Sequence, residues 1–407
     1  MSALDSVMKC VKLSATSTPE SSADVDVDLG LDASVRAESK IHNNSSTDFG
    51  EFFSMLEGIL RIENMREKYD AFKHFYEDFR SGRVQFHHEY LQERLRKNPL
   101  ENPHTHIAPF SPAPVLPVAK LRQRLNHASS QNPSHISCKH TNIARALHAI
   151  AHIEYSAITL ALDSAYRFVY LPGEYYADWL QVADEEFGHF FALENLLGEL
   201  GARYGDFPVH ATLYEAMSAT QESFIYRMGV VHRGLEAKGL DANPFVLQRL
   251  HALGGGQDFA LYKEIDRVFG VILADEIGHV SFGSRWWRFG IDELTHDTKS
   301  QNLQEQAANS ARENLACQNP APAHLAALLG ALDHAELDSG GLRERVGDMA
   351  LHERAFLGLC AKFPRFSLCG RILHTQARLQ AGFSQSELDG IKEFYALMYQ
   401  YKLEPHA

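Results

Sequence analysis

The chain has 407 residues, of which 45% are hydrophobic, enough apolar material for two or three globular units with buried cores. Its 39 basic and 52 acidic residues give a net charge of −13, which disfavours nonspecific binding to nucleic-acid phosphates. The five cysteines are widely spaced and form no Cys-x-x-Cys pair, so they predict free thiols. We find neither a membrane-spanning apolar run nor a signal-peptide pattern. We therefore expect a cytoplasmic protein without a membrane partner.

The first third of the chain is predicted to surround a larger helical unit. Residues 1–47 are rich in Ser, Thr and Asp and have few large apolar residues, a composition typical of a disordered tail. Residues 48–139 form a second region. Apolar residues at helical spacing between positions 49 and 95 predict two amphipathic helices, and seven prolines between 99 and 133 predict an extended arm.

Residues 140–297 are predicted to form a four-helix bundle. Long helical patterns run at about 142–168, 175–200, 212–238 and 259–289, with short breaks between them. Gly239 and Pro244 act as stop signals for the third helix. Residues 298–407 predict a C-terminal extension of three or four helices. Since no segment shows the alternation of a strand, the predicted fold class is all-α.

The second and fourth bundle helices share a five-residue frame, Asp/Glu-Glu-x-Gly-His. Residues three positions apart share one face of a helix, so a Glu and a His at this spacing can bind the same ion. In two-metal bundles, two helices contribute such a pair and the other two contribute one Glu each. The paired ligands predicted here are Glu186, His189, Glu276 and His279.

The single glutamates come from the first and third helices. Glu154 is the only acid between Arg145 and Asp163, and its helical neighbours are apolar, so its charge needs a compensating cation. On the third helix Glu222 and Glu236 lie on nearly the same stripe. We prefer Glu236, because its distance to the following Glu-x-x-His pair agrees better with the first half. The predicted metal ligands are Glu154, Glu186, His189, Glu236, Glu276 and His279.

Four further residues near these ligands need an interpretation. His232 lies one turn before Glu236 and is an additional ligand or a hydrogen-bonding partner, while Glu185 could replace the glutamate that follows it. His148 and His152 lie on roughly the opposite side of the first helix from the single glutamate, which predicts a packing or surface role.

Several motifs in the bundle region are similar to those of a known family. They are His-Ala-Ile-Ala-His-Ile-Glu, Trp-Leu-Gln-Val-Ala-Asp-Glu-Glu-Phe-Gly-His-Phe, Tyr-Gly-Asp-Phe-Pro, Leu-Glu-Ala-Lys-Gly-Leu-Asp and Asp-Glu-Ile-Gly-His-Val. The segment from His148 to Arg288 resembles bacterial ferritin-like proteins catalogued as domain of unknown function 455. The resemblance implies a ferritin-like bundle with a di-iron centre built from the six residues above, and it implies no substrate. The acidic tail and the C-terminal extension depart from compact members of that family.

The ligand chemistry predicts the reaction class. Carboxylates and two imidazoles without a thiolate suit two iron ions, or manganese, better than zinc or copper. We predict an oxidoreductase, such as a monooxygenase, that uses O₂ to oxidise a small organic substrate with electrons from a separate reductase. The alternatives are ferritin-type iron oxidation and storage, a tRNA-base hydroxylase, and a metal-free helical scaffold. Net acidity disfavours a nucleic-acid partner, and a homodimer is the assembly that we consider.

Overall fold

The structure, a computed structural model, describes residues 49–84, 107, 110–121, 141–169, 171–254, 259–308, 320–334, 342–369 and 372–400. The all-α prediction is confirmed for these residues, whose only extended pairing is a single parallel β-bridge between Val115 and Val209. The predicted disordered tail and most of the proline-rich arm lie outside the described residues. The predicted domain boundaries stay a prediction.

The helices follow one another along the chain with short connections. They are α1 (Phe49–Arg61), α2 (Met65–Arg80), α3 (Thr141–Arg167), α4 (Gly173–Glu199), α5 (Thr212–Ala219), α6 (Phe224–Tyr226), a π-helix (Arg227–Leu235), α7 (Glu236–Gly254), α8 (Phe259–Ala308), α9 (Pro320–His334), α10 (Leu342–Asp348), α11 (Leu351–Lys362), α12 (Thr375–Gln380) and α13 (Gln385–Gln400). No helix within the described residues is long and apolar enough to cross a membrane.

Four long helical segments pack around a common interior: α3, α4, the π-helix with α7, and α8. Large aromatic side chains on α4 supply much of this interior, and Tyr175, Trp179, Phe187 and Phe190 are at most 1% exposed. An aromatic side chain of this kind buries about 150–250 Å². Packing on this scale holds the backbone of α4 rigidly, so functional side chains on α4 have defined positions.

The N-terminal helices α1 and α2 cover α3 and α4 through aromatic contacts. The Phe52 ring lies 5.4 Å from the Tyr176 ring, and the Phe72 ring lies 5.2 Å from the Phe187 ring. The side chain of Asn64 caps α2 by accepting hydrogen bonds from two backbone N–H groups of the first turn. Two amphipathic helices were predicted in this region, and α1 and α2 confirm them.

The third predicted helix differs from the structure at both ends. A turn after Ala219 interrupts the predicted helix, and the chain is then helical from α6 through α7 without a stop at Gly239. Pro244 lies inside α7, although it removes one helical hydrogen bond. Leu240 and Val246 on either side of this proline are buried. Burial of the helix face therefore outweighs the local stop signals.

Helix α8 is also longer than predicted. We expected it to end near Phe289, but it continues to Ala308. Gly290 lies against α6, where an added Cβ would be 3.0 Å from carbon atoms of Phe224 and Ile225. The glycine thus serves close packing between helices rather than helix termination.

The C-terminal helices are tied to the bundle by two buried ion pairs. Arg233 of the π-helix donates to both carboxylate oxygens of Glu387 on α13, at 2.6 and 2.7 Å. Arg378 of α12 donates to both oxygens of Asp241 on α7, at 2.9 and 2.7 Å. Removing one partner of such a pair costs roughly 3–5 kcal/mol. The C-terminal region therefore stabilises the segment that carries Glu236.

Candidate metal centre

Three of the long helices bring four of the predicted ligands together. One ligand atom from each of Glu154, Glu186, His189 and Glu276 lies within 4.8 Å of the others. Ligand oxygens and nitrogens lie about 2.0–2.2 Å from a bound metal ion, so atoms this close can share one. The first three of these side chains are nearly inaccessible to solvent. The cluster could therefore hold a metal ion inside the bundle.

The two remaining candidates lie beside this group. His279 Nδ1 is 3.2 Å from Glu186 Oε1 and 3.7 Å from Glu276 Oε1. Glu236, the first residue of α7, lines the same cavity as the other three glutamates. The alternative candidate Glu222 is exposed in the turn before α6. The geometry therefore favours Glu236 as the contribution of the third helix.

Glu186 occupies the middle of the cluster. One of its oxygens faces His279, and the other lies 3.4 Å from His189 Nδ1. Glu154 Oε2 also lies 3.4 Å from that nitrogen. The two oxygens of one carboxylate thus face two different imidazoles. This arrangement lets Glu186 serve two ions at once.

Each histidine is oriented by an acidic residue from the opposite motif. His189 Nε2 on α4 donates to Asp275 Oδ2 on α8 at 3.0 Å, and His279 Nε2 on α8 donates to Glu185 Oε2 on α4 at 2.8 Å. A proton on Nε2 leaves Nδ1, which faces the cluster, available for a cation. Glu185 is thus a hydrogen-bonding partner of a predicted ligand. The sequence showed the paired acids but not this crossed arrangement.

Several polar atoms of the cluster are buried without a hydrogen bond. They are both carboxylate oxygens of Glu186, Oε2 of Glu236, and Nδ1 of His189 and His279. A buried polar atom without a partner costs roughly 1–3 kcal/mol. Because these atoms converge on one region, a cation is the partner that would satisfy them together. The residues present therefore fit a metal centre.

The electrostatics of the cluster agree with this conclusion. Burial raises the pKa of three carboxyl groups above the usual range, and neighbouring carboxylates raise it further: Glu154, Glu236 and Glu276. Burial alone would also raise the pKa of Glu186, but His189 and His279 hold it well below its usual value. Without a cation, the protein can accommodate this density of acids only by retaining protons on some of them.

The π-helix positions His232 next to Glu236. His232 Nδ1 lies 2.9 Å from Glu236 Oε1, and His232 Nε2 lies 2.7 Å from Ser164 Oγ. Both ring nitrogens therefore have partners, which favours the hydrogen-bonding role over ligation. Helix α8 reaches this segment closely, because a Cβ added at Gly283 would lie 2.4 Å from the His232 carbonyl oxygen. Such π-helical segments are rare and frequently occur at functional sites.

His148 and His152 have the packing role that their position predicted. Both are buried. His148 Nε2 accepts a hydrogen bond from the Gly205 N–H at 2.9 Å. His152 Nε2 donates to the His210 carbonyl oxygen at 2.9 Å, so its Nδ1 accepts from the Tyr204 hydroxyl at 2.7 Å. These bonds anchor the connection between α4 and α5 to α3.

A cavity of about 110 Å³ adjoins the cluster. Residues of α3, the π-helix, α7 and α8 form most of its wall, and the start of α5 contributes to it. Its wall includes the carboxylates of Glu154, Glu186, Glu236 and Glu276. Most of the remaining lining is hydrocarbon, including Ile150, Leu160, Leu240, Val246, Phe269 and Ile272. The candidate metal centre is therefore next to a space that could hold an apolar molecule.

The fold and the site define an all-helical protein with a buried carboxylate–histidine cluster that could hold metal. Residues 61–324 match the family described as "Protein of unknown function (DUF455)". An uncharacterized protein of Haemophilus influenzae is 30% identical over 350 residues, which cover 84% of this chain and 94% of the relative. The chain belongs to this family. No solved structure matches it.

The family match is wider than the resemblance seen in the sequence motifs. It begins in α1 and ends in α9, well beyond the segment from His148 to Arg288. The alignment with the Haemophilus influenzae protein is too long to omit the C-terminal region entirely. Part of that region is therefore shared with a relative and is not an addition peculiar to this chain.

Proposed function

We propose that this chain is a di-iron carboxylate oxidoreductase that uses O₂ to oxidise a small organic substrate. The observation that carries the proposal is the buried cluster of carboxylates and imidazoles, whose unsatisfied atoms converge beside an apolar cavity. Its ligands would come one from α3, two from α4, one from α7 and two from α8. This distribution is the one found in ferritin-like two-metal bundles.

The donor set supports iron, with manganese as the other candidate. Carboxylate oxygens and imidazole nitrogens suit these ions, and thiolate-binding metals have no sulfur ligand within the cluster. Cys360 and Cys369 are buried beside each other in the C-terminal region, with their sulfur atoms 3.8 Å apart. Bound iron would supply the electron-transfer and O₂ chemistry that amino-acid side chains lack.

The chain's own residues would prepare the site for that chemistry. Asp275 and Glu185 orient the two imidazoles, and the apolar wall excludes water from the carboxylates. The same wall favours oxidation of an organic molecule over iron storage, because a route for hydrated iron would need polar groups along it. Electrons would come from a separate reductase.

Iron loading followed by exposure to O₂ tests the proposal. Protein loaded anaerobically with Fe(II) and freed of excess metal should retain about two irons per chain. Oxygen uptake, measured with an electrode, should require that iron. A parallel loading with Mn(II) decides between the two metals.

Variants make this test specific to the cluster. Glu154→Ala and Glu276→Ala should lose the bound iron while circular dichroism shows unchanged helicity. Glu222→Ala is the matched control, because it removes an exposed carboxylate of the same chain and should load normally. Wild-type protein that is fully helical yet retains neither iron nor manganese would refute the proposal.

A further inference from the structure

The cavity beside the cluster has few polar groups, and most of them are already engaged. Lys238 Nζ donates to the Ser367 carbonyl oxygen at 2.7 Å. Asn243 Nδ2 lies 3.5 Å from the Phe269 carbonyl oxygen. The charge of the lysine is therefore directed to the backbone and is not presented to the cavity. A ligand would meet a wall that offers little to a charged group.

His210 is the exception. It lines the cavity and is only 6% exposed, yet its Nδ1 atom is buried and has no hydrogen-bond partner. Among the described residues of the lining, the other buried side-chain atoms in this state are oxygens of Glu186 and Glu236. Those oxygens belong to the candidate metal centre. His210 therefore offers a separate, unused hydrogen-bonding atom to a molecule in the cavity.

The backbone around His210 is held from two sides. Its carbonyl oxygen accepts from His152 Nε2 on α3. The preceding residue, Val209, donates to the Pro114 carbonyl oxygen at 2.9 Å and accepts from the Leu116 N–H at 2.8 Å. A side chain on a segment fixed in this way keeps its place without a ligand. This pre-organisation reduces the entropy lost when a ligand binds.

Resting on the proposed function, we propose that the cavity binds an uncharged, largely hydrocarbon substrate with one polar group, such as a carbonyl, that hydrogen-bonds to His210 Nδ1. The hydrocarbon part then lies along the apolar wall beside the carboxylates. An anionic substrate is disfavoured by those acids, and burial lowers the pKa of His210 to about 4, so its imidazole is neutral at pH 7.

The wall also provides a route for such a molecule. Ala157, Gly239 and Ala242 line the cavity and are small, and Ala157 and Ala242 are partly exposed. A Cβ added at Gly239 would meet no atom within 4 Å. These small residues leave a gap between α3 and α7. A larger side chain at this gap is expected to obstruct it.

A matched pair of probes tests the recognition by His210. Acetophenone and 2-phenylpropene have nearly the same shape, but the second has a CH₂ group where the first has its carbonyl oxygen. Calorimetric titration of the full chain should show binding of both. His210→Phe should weaken acetophenone about 3- to 10-fold, the effect of one neutral hydrogen bond, and leave 2-phenylpropene within about twofold.

Two further variants complete the design. His210→Asn, which keeps a donor and an acceptor, should restore the preference for acetophenone. Gly239→Phe should weaken both probes together. If His210→Phe changes the two affinities equally, or changes neither, His210 does not recognise the polar group and the inference is wrong.

Iron content measured on the same samples separates this inference from the proposed function. Protein that loads iron but binds neither probe overturns the cavity assignment alone. Protein that binds the probes in the predicted order but retains no metal supports the cavity assignment and overturns the di-iron proposal.

Discussion

Replacing Asp275 by alanine should weaken metal binding through His189, although Asp275 itself lies outside the group of proposed ligands. Asp275 accepts the hydrogen bond from His189 Nε2 at 3.0 Å and so keeps Nδ1 directed at the cluster. Loss of such a partner lowers metal affinity about 10- to 100-fold, or roughly 1.4–2.7 kcal/mol. The Asp275 side chain is 33% exposed, so water can partly replace it in the variant. We therefore expect a decrease near the lower limit, about 10-fold.

The assay is a competition between the protein and a fluorescent chelator of known affinity for Fe(II) or Mn(II), performed anaerobically. Asp184→Ala is the control, because this acid is just before Glu185 in the sequence but pairs with Lys73 at 3.0 Å. It should bind metal as the wild type does. In a His189→Ala background, the Asp275→Ala change should have no further effect. Wild-type affinity in Asp275→Ala, or an equal loss in Asp184→Ala, would contradict the crossed arrangement.

Three further predictions concern the stability of the metal-free protein, measured by urea unfolding in the presence of chelator. Glu276→Gln should raise the free energy of unfolding by about 1 kcal/mol while it weakens iron loading, because it removes a buried acid whose pKa burial has raised; lower stability would contradict this. Gly283→Ala should destabilise by roughly 1–3 kcal/mol, since its Cβ would lie 2.4 Å from a carbonyl oxygen, whereas Gly270→Ala, with nothing within 4 Å, should be neutral or stabilising by up to about 1 kcal/mol. Burial lowers the pKa of His148 to about 4, so the unfolded chain binds its proton more tightly and stability is lost as the pH falls below about 6.5. His148→Gln should reduce the loss between pH 7.5 and pH 5 by about 2 kcal/mol, and an unchanged pH dependence would show that this histidine is not responsible.

Local sequence patterns determined the parts of this protein that depend on a single turn of backbone. The all-α class follows from apolar residues at helical spacing, and the shared face of Glu186 and His189 follows from a separation of three residues. The buried position of Glu154 also followed from its neighbours, because an isolated acid among apolar residues needs compensation. The structure adds that this acid and the two Glu-x-x-His motifs meet in one place.

The tertiary structure alone decided the features that join distant parts of the chain. The bonds from His189 to Asp275 and from His279 to Glu185 connect residues 86 and 94 positions apart, and no local spacing records such pairs. The passage of α7 through Pro244 and the exposure of an unused His210 nitrogen to the cavity likewise depend on which surfaces pack together. Helix formation and i, i+3 geometry are local properties of the backbone. Packing sums many weak contacts between remote residues, so it can override a local stop signal or create a cavity that no single segment predicts.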